Sequence, residues 1–123
     1  MKKTRISSKP TKVRKRLFTS PLHTRNARQP RAAFSSDLSS KYGRNSVRVR
    51  IGDSVRLLRG EYSGIEGKVL KVFPKHGLVT VEGITREKIA GGTTPVRLHT
   101  SNLIVTSLNL DDRWRREKIE GSQ

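Results

Sequence analysis

Gly52-Asp53-Ser54-Val55-Arg56-Leu57-Leu58-Arg59-Gly60-Glu61-Tyr62-Ser63-Gly64-Ile65-Glu66-Gly67-Lys68-Val69 is the stretch that decides how this chain folds. Val55 and Leu57 stand two apart, and Val69 and Val72 follow with one slip, so each flank reads as a short half-buried strand with its apolar side chains on one face. Between the flanks lies Gly60-x-x-x-Gly64-x-x-Gly67. Several glycines in one connection indicate backbone that takes positive φ or lies against another backbone, because a β-carbon is penalised in both situations. The connection is therefore a shaped loop. Asp53, beside Gly52, fits a role in accepting hydrogen bonds from backbone N–H groups of the turn into the first strand.

Working outward, Val47, Val49 and Ile51 alternate with Arg48, Arg50 and Gly52, which predicts a first strand with a cationic exposed face. Residues 55–58 and 67–73 are the next two strands, and Pro74-Lys75-His76-Gly77 is a turn. Leu78, Val79 and Val81 form a fourth strand that Gly83 breaks, with residues 84–89 returning antiparallel. Residues 90–95 read as a loop, Thr100-Ser101-Asn102 as a tight turn and residues 103–108 as a last strand. Five or six short strands with turn-rich connections argue for a small barrel. Ser35 or Ser36 caps a short helix around residues 36–42, in which Leu38 and Tyr42 lie at i and i+4 and Gly43 is the stop. Asp111 or Asp112 caps a terminal helix containing Trp114, Arg115 and Arg116, which is expected to fray.

The chain carries 27 Lys plus Arg against 10 Asp plus Glu, a net charge of +17, far beyond what solubility requires, so an anionic polymer is the natural partner. The excess is uneven: residues 1–50 hold 15 basic and 1 acidic residue, residues 51–110 hold 8 and 5, and residues 111–123 hold 4 and 4. Residues 1–33 mix Lys, Arg, Ser and Thr with Pro10, Pro21 and Pro30, a composition that cannot offset chain entropy, so this arm is expected to be extended and disordered when free. The resulting division is a basic extended arm over 1–33, a short helix and linker over 34–46, the barrel domain over 47–110 and a C-terminal helix and tail over 111–123. With no cysteine, disulfides and thiolate metal sites are excluded. No apolar run approaches the roughly twenty residues of a membrane span, and Met-Lys-Lys is not followed by the apolar core of a secretory signal, so a cytosolic protein without membrane association is expected.

Gly-Asp-x-Val followed by Gly-x-x-x-Gly-x-x-Gly and an aliphatic strand resembles the KOW motif of small SH3-like barrels, which bind RNA in ribosomal proteins and transcription elongation factors. The flanks narrow the resemblance. Pro21-Leu22-His23, Ser35-x-Asp37-Leu38-x-x-Lys41-Tyr42-Gly43 and Ser101-Asn102-Leu103-Ile104-Val105-Thr106-x-Leu108-x-Leu110-Asp111-Asp112 are similar to the large-subunit ribosomal protein twenty-four family in its archaeal and eukaryotic form, over residues 21–113. That resemblance implies a mostly β fold, a small SH3-like barrel with an extended basic arm and short helices before and after it. It also implies a non-enzymatic ribosomal protein in the cytoplasm that binds large-subunit rRNA near its 5′ region early in assembly. Its neighbours would be other large-subunit ribosomal proteins, and it would lie near the peptide exit tunnel and factors docking there. The chain departs from the family at Asn45 and Ser46, where Arg-Ser order is expected, and its first twenty residues align loosely.

The candidate RNA-binding residues fall in three groups. In the shaped loop, Arg59, Tyr62, Ser63 and Lys68 offer two cations, a stacking ring and a hydroxyl, against the plainer alternative of a hairpin whose Tyr62 packs on its own barrel. In the arm, Lys12, Arg14, Lys15 and Arg16, with Lys2, Lys3, Arg5 and Lys9, neutralise phosphates and position the chain without reading sequence. Arg25, Arg28, Arg31, Arg44, Arg48 and Arg50 extend that surface toward the barrel, and Lys41, Tyr42 and Lys75 complete it. By resemblance, His23 and His76 face rRNA. His23, His76 and His99 lack the spacing of metal ligands, so no metal or cofactor is expected. Gly67-Lys68 is followed by Val69 rather than the Ser or Thr of a phosphate loop, and the carboxylates are scattered, so neither nucleotide hydrolysis nor any other chemistry on a small-molecule substrate is expected. Two rivals remain: a KOW-type transcription elongation factor, which needs a second domain for polymerase, and an architectural packer of nucleic acid, which needs no shaped loop.

Overall fold

The computed structural model describes residues 6–28 and 30–121. The core is built from alternating strands: β3 (Ser54–Leu57), β4 (Glu66–Phe73), β5 (Leu78–Glu87), β6 (Thr93–His99) and β7 (Leu103–Ser107), preceded by β1 (Arg31–Phe34) and β2 (Ser46–Arg48). They form a seven-stranded sheet in the order β2-β1-β7-β3-β4-β5-β6, antiparallel throughout except for the parallel pair β1 and β7. The sheet curls so that Val55, Val69, Val79, Val81, Ile84, Leu103 and Val105, each at most 1% exposed, share one core. Each such aliphatic side chain contributes about 1.5–3 kcal/mol on burial. The result is mostly β, consistent with a small SH3-like barrel.

Three parts of the strand pattern differ from the sequence reading. The strand expected over 47–51 ends at Arg48: Val49 is buried, but Gly52 takes φ 93° and turns the chain, leaving Ile51 61% exposed. Gly83 does not break the next strand. With φ 81° it is absorbed in a single strand β5, whose pairing with β6 shifts register between Thr80 and Thr85, as a bulge does. The strand that returns is β6, whose first residues, 93–95, read as a loop and whose residues 96–99 read as no element, and Pro95 is tolerated there because β6 is an edge strand.

Helix α3 (Ser36–Tyr42), the third in chain order, forms where expected. The Ser35 hydroxyl accepts from the Leu38 N–H, Gly43 closes the helix at φ 62°, and Asp37 and Lys41 stand at the dipole ends that favour them. The arm is not extended. Residues Pro10–Thr19 form α1 and Leu22–Arg28 form α2, because Pro10 is preset for the first helical turn and Lys, Arg and Leu are good helix formers. Ser20, ahead of Pro21, is extended and separates the two helices. The arm's end is not free either: β1 buries Ala32 and Phe34 and joins the sheet. Finally, α4 (Arg113–Glu120) starts at the Asp112 cap, and its Arg115 and Ile119 are buried, so this helix is part of the fold.

Candidate nucleic-acid interface

The glycine loop is closed by its own backbone. The Leu57 N–H donates to the Ile65 carbonyl at 3.0 Å and the Gly64 N–H to the Leu57 carbonyl at 2.8 Å. Gly60 and Gly64 have φ of 93° and 85°, the left-handed region that favours glycine. Gly67 serves the other purpose: a β-carbon there would stand 2.6 Å from the Glu82 carbonyl oxygen and 2.9 Å from Val81. On this frame Arg59 and Lys68 are exposed. Tyr62 combines the two readings of it, half-buried with one side packed against the core. Ser63 Oγ donates to the Leu58 carbonyl at 3.1 Å, so its hydroxyl braces the loop. Glu61 of the loop and Arg86 of β5 approach to 4.0 Å.

A second cationic group surrounds the turn between β4 and β5. Lys75 and His76 are exposed there, and the Gly77 N–H closes the turn on the Phe73 carbonyl. Lys71 Nζ and the Arg97 guanidinium lie 5.2 and 4.5 Å from the Phe73 ring centre, attracted to its electron-rich face. Lys71 and Arg97 lie outside the sequence-based set. Strict alternation would put Lys71 on the face of the buried Val69, and only the register shift between Val69 and Lys71 turns it outward, whereas Arg97 is hidden because residues 93–99 do not read as a strand.

In the arm, Lys12, Arg14, Lys15, Arg16 and His23 are exposed and Arg25 is half-exposed. The side chain of Arg28, with Lys2, Lys3 and Arg5, lies outside the described residues. Arg31, Arg48 and Arg50 flank the β1/β2 edge, where Arg50 pairs with Asp112 at 2.5 Å and Arg44 donates to the Lys118 carbonyl at 2.9 Å. Lys41 is exposed over the Tyr42 ring at 5.2 Å, but Tyr42 itself is only 4% exposed and packs near Phe34. Its i and i+4 spacing with Leu38 points to the core, and the core is where its ring lies; it offers no stacking face to RNA.

Holding these groups together is an ion pair that local sequence does not announce. Asp53 is fully buried and Arg115 is 5% exposed, and the two bond bidentately, both at 2.6 Å. Asp53 also accepts from the Arg50 and Asn109 N–H groups, which is the turn-stabilising role read from Gly52-Asp53. Arg115 in turn donates to the Asn109 and Arg48 carbonyls, tying α4 to the sheet edge and to the start of the glycine hairpin. Among the described residues, no group of three or more His, Asp or Glu side chains is placed to hold a metal ion, and no helix is long and apolar enough to cross a membrane.

The family described as ribosomal proteins L26 in eukaryotes and L24 in archaea matches residues 7–122. Curated relatives named large ribosomal subunit protein uL24 are similar over nearly the whole chain. That of Saccharolobus solfataricus is 48% identical over 118 residues, 96% of this chain and 98% of its own length. That of Nitrosopumilus maritimus is 47% identical over 113 residues, 92% of this chain and 67% of its own, and that of Haloarcula marismortui is 43% identical over 115 residues, 94% and 95%. The barrel, the glycine hairpin and these matches agree: the chain belongs to the family of eukaryotic L26 and archaeal L24 ribosomal proteins.

Proposed function

We propose that this protein is a structural, non-enzymatic constituent of the large ribosomal subunit that binds large-subunit rRNA through the glycine hairpin and the basic arm. The coarse role follows from the family. Its binding mode rests chiefly on one observation, the internally bonded hairpin that holds Arg59 and Lys68 outward on a frame too tight to collapse. Such a frame presents cations to phosphates without first losing loop entropy. The turn at Lys75 and His76 and the arm add contacts that position the protein on folded RNA. In the same reading it joins rRNA segments near the 5′ region early in assembly and comes to lie near the exit tunnel beside other large-subunit proteins.

Competition between a 5′-region rRNA fragment and duplex DNA of equal length tests the reading. Folded RNA should win at every salt concentration, and replacing Arg59, Tyr62 and Lys68 with alanine should weaken RNA binding about tenfold or more while the fold persists. Equal competition would favour a nucleic-acid packer, and an unchanged affinity of the triple variant would remove the hairpin from the interface.

A further inference from the structure

A notch lies between the sheet edge and α4. It encloses about 360 Å3, and Arg31, Arg44, Arg48, Lys118 and Trp114 line it with no carboxylate among its lining residues. Two arrangements there are unfavourable in the isolated protein. Arg31 and Arg48 stand directly opposite each other on β1 and β2, and neither takes part in an ion pair of the described residues. Like charges so placed destabilise a strand pair. Trp114 leaves 80% of its surface exposed although its helix is fixed by the buried Arg115 and Ile119, so an anchored helix presents the indole at the surface. The remaining arginines of the notch, Arg50 and Arg115, are already engaged by Asp112 and Asp53 and hold the wall in place.

A ligand that carries both negative charge and a flat ring relieves both arrangements at once. We propose that the notch binds one unstacked nucleotide of a single-stranded RNA segment, with the base on Trp114 and a phosphate between Arg31 and Arg48. An acidic peptide would satisfy the guanidiniums and leave the indole uncovered. The assignment rests on the rRNA-binding reading above and adds to it a second contact, remote in sequence from the glycine hairpin.

Trp114 is the single tryptophan, so its fluorescence in the full chain reports on this notch and not on the arm. Titration with a short oligoadenylate should quench it, whereas inorganic phosphate and an oligoglutamate of equal charge should not. Trp114→Ala should weaken oligoadenylate binding about tenfold, with Trp114→Phe recovering most of the loss. Arg48→Ala should lower the slope of log affinity against log salt by about one, because one phosphate contact is lost. If oligoadenylate leaves the emission unchanged while the protein still binds an rRNA fragment, the nucleotide notch is wrong and the rRNA reading stands. If neither RNA binds, both fall. Equal quenching by oligoglutamate would overturn the proposal in favour of a site for acidic peptides.

Discussion

Helices α1 and α4 are both short and rich in arginine, yet they stand in opposite relation to the fold. No residue of α1 is buried, and Leu17 and Phe18 point outward with its cations. Helix α4 has fewer apolar residues, but it sinks Arg115 and Ile119 into the structure and closes on Asp53 across 62 residues of chain. What attaches this basic helix to a small barrel is one long-range partner for Arg115 and one buried aliphatic side chain, Ile119, not an extended apolar face. The first helix is thus free to follow an external surface, and the second belongs to the scaffold that presents the rest.

The largest effect is expected at that partner. Arg115→Ala leaves Asp53 buried and uncompensated and should cost about 3–5 kcal/mol in denaturant unfolding. A loss below about 1 kcal/mol would break the comparison, because α4 would then be as peripheral as α1. Gly67→Ala probes attachment inside the hairpin. The new methyl would press on the Glu82 carbonyl and Val81, and overpacking of this kind costs about 1–3 kcal/mol. Deleting residues 1–20 should change stability by no more than about 0.5 kcal/mol, because no residue of α1 is buried. The same deletion should flatten the salt dependence of RNA binding by about 0.7–0.9 in slope per phosphate released. Destabilisation with an unchanged slope would reverse the roles of the two chain ends.

How much of this is visible in the sequence depends on whether the governing interaction is local. Helix α3 is legible because Ser35, Asp37 and Gly43 mark its ends through neighbouring backbone, and the hairpin is legible because positive φ and close approach both select glycine. Helix α1 is missed when charge and proline content are weighed above helix propensity, although Pro10 stands where a helix begins best. Strand β6 is missed because Thr93, Thr94 and Pro95 resemble a turn, and only its place at the sheet edge makes proline acceptable. Asp53 reads as a turn former and is one, but its pairing with Arg115 leaves no trace in spacing. The same holds for the notch, whose cations come from β1, β2, the segments beside them and α4, and whose ring comes from α4.

The parallel pairing of β1 with β7 sets a schedule for the newly made chain. β1 can find β2 early, but Ala33 meets Ile104 only after β2 to β6 have all been synthesised. Contacts between distant segments carry the loop-closure entropy that slows folding. The cationic segment ahead of β1 is therefore made before β7, the strand that completes the attachment of β1, so it meets any polyanion in its surroundings before the barrel behind it has closed.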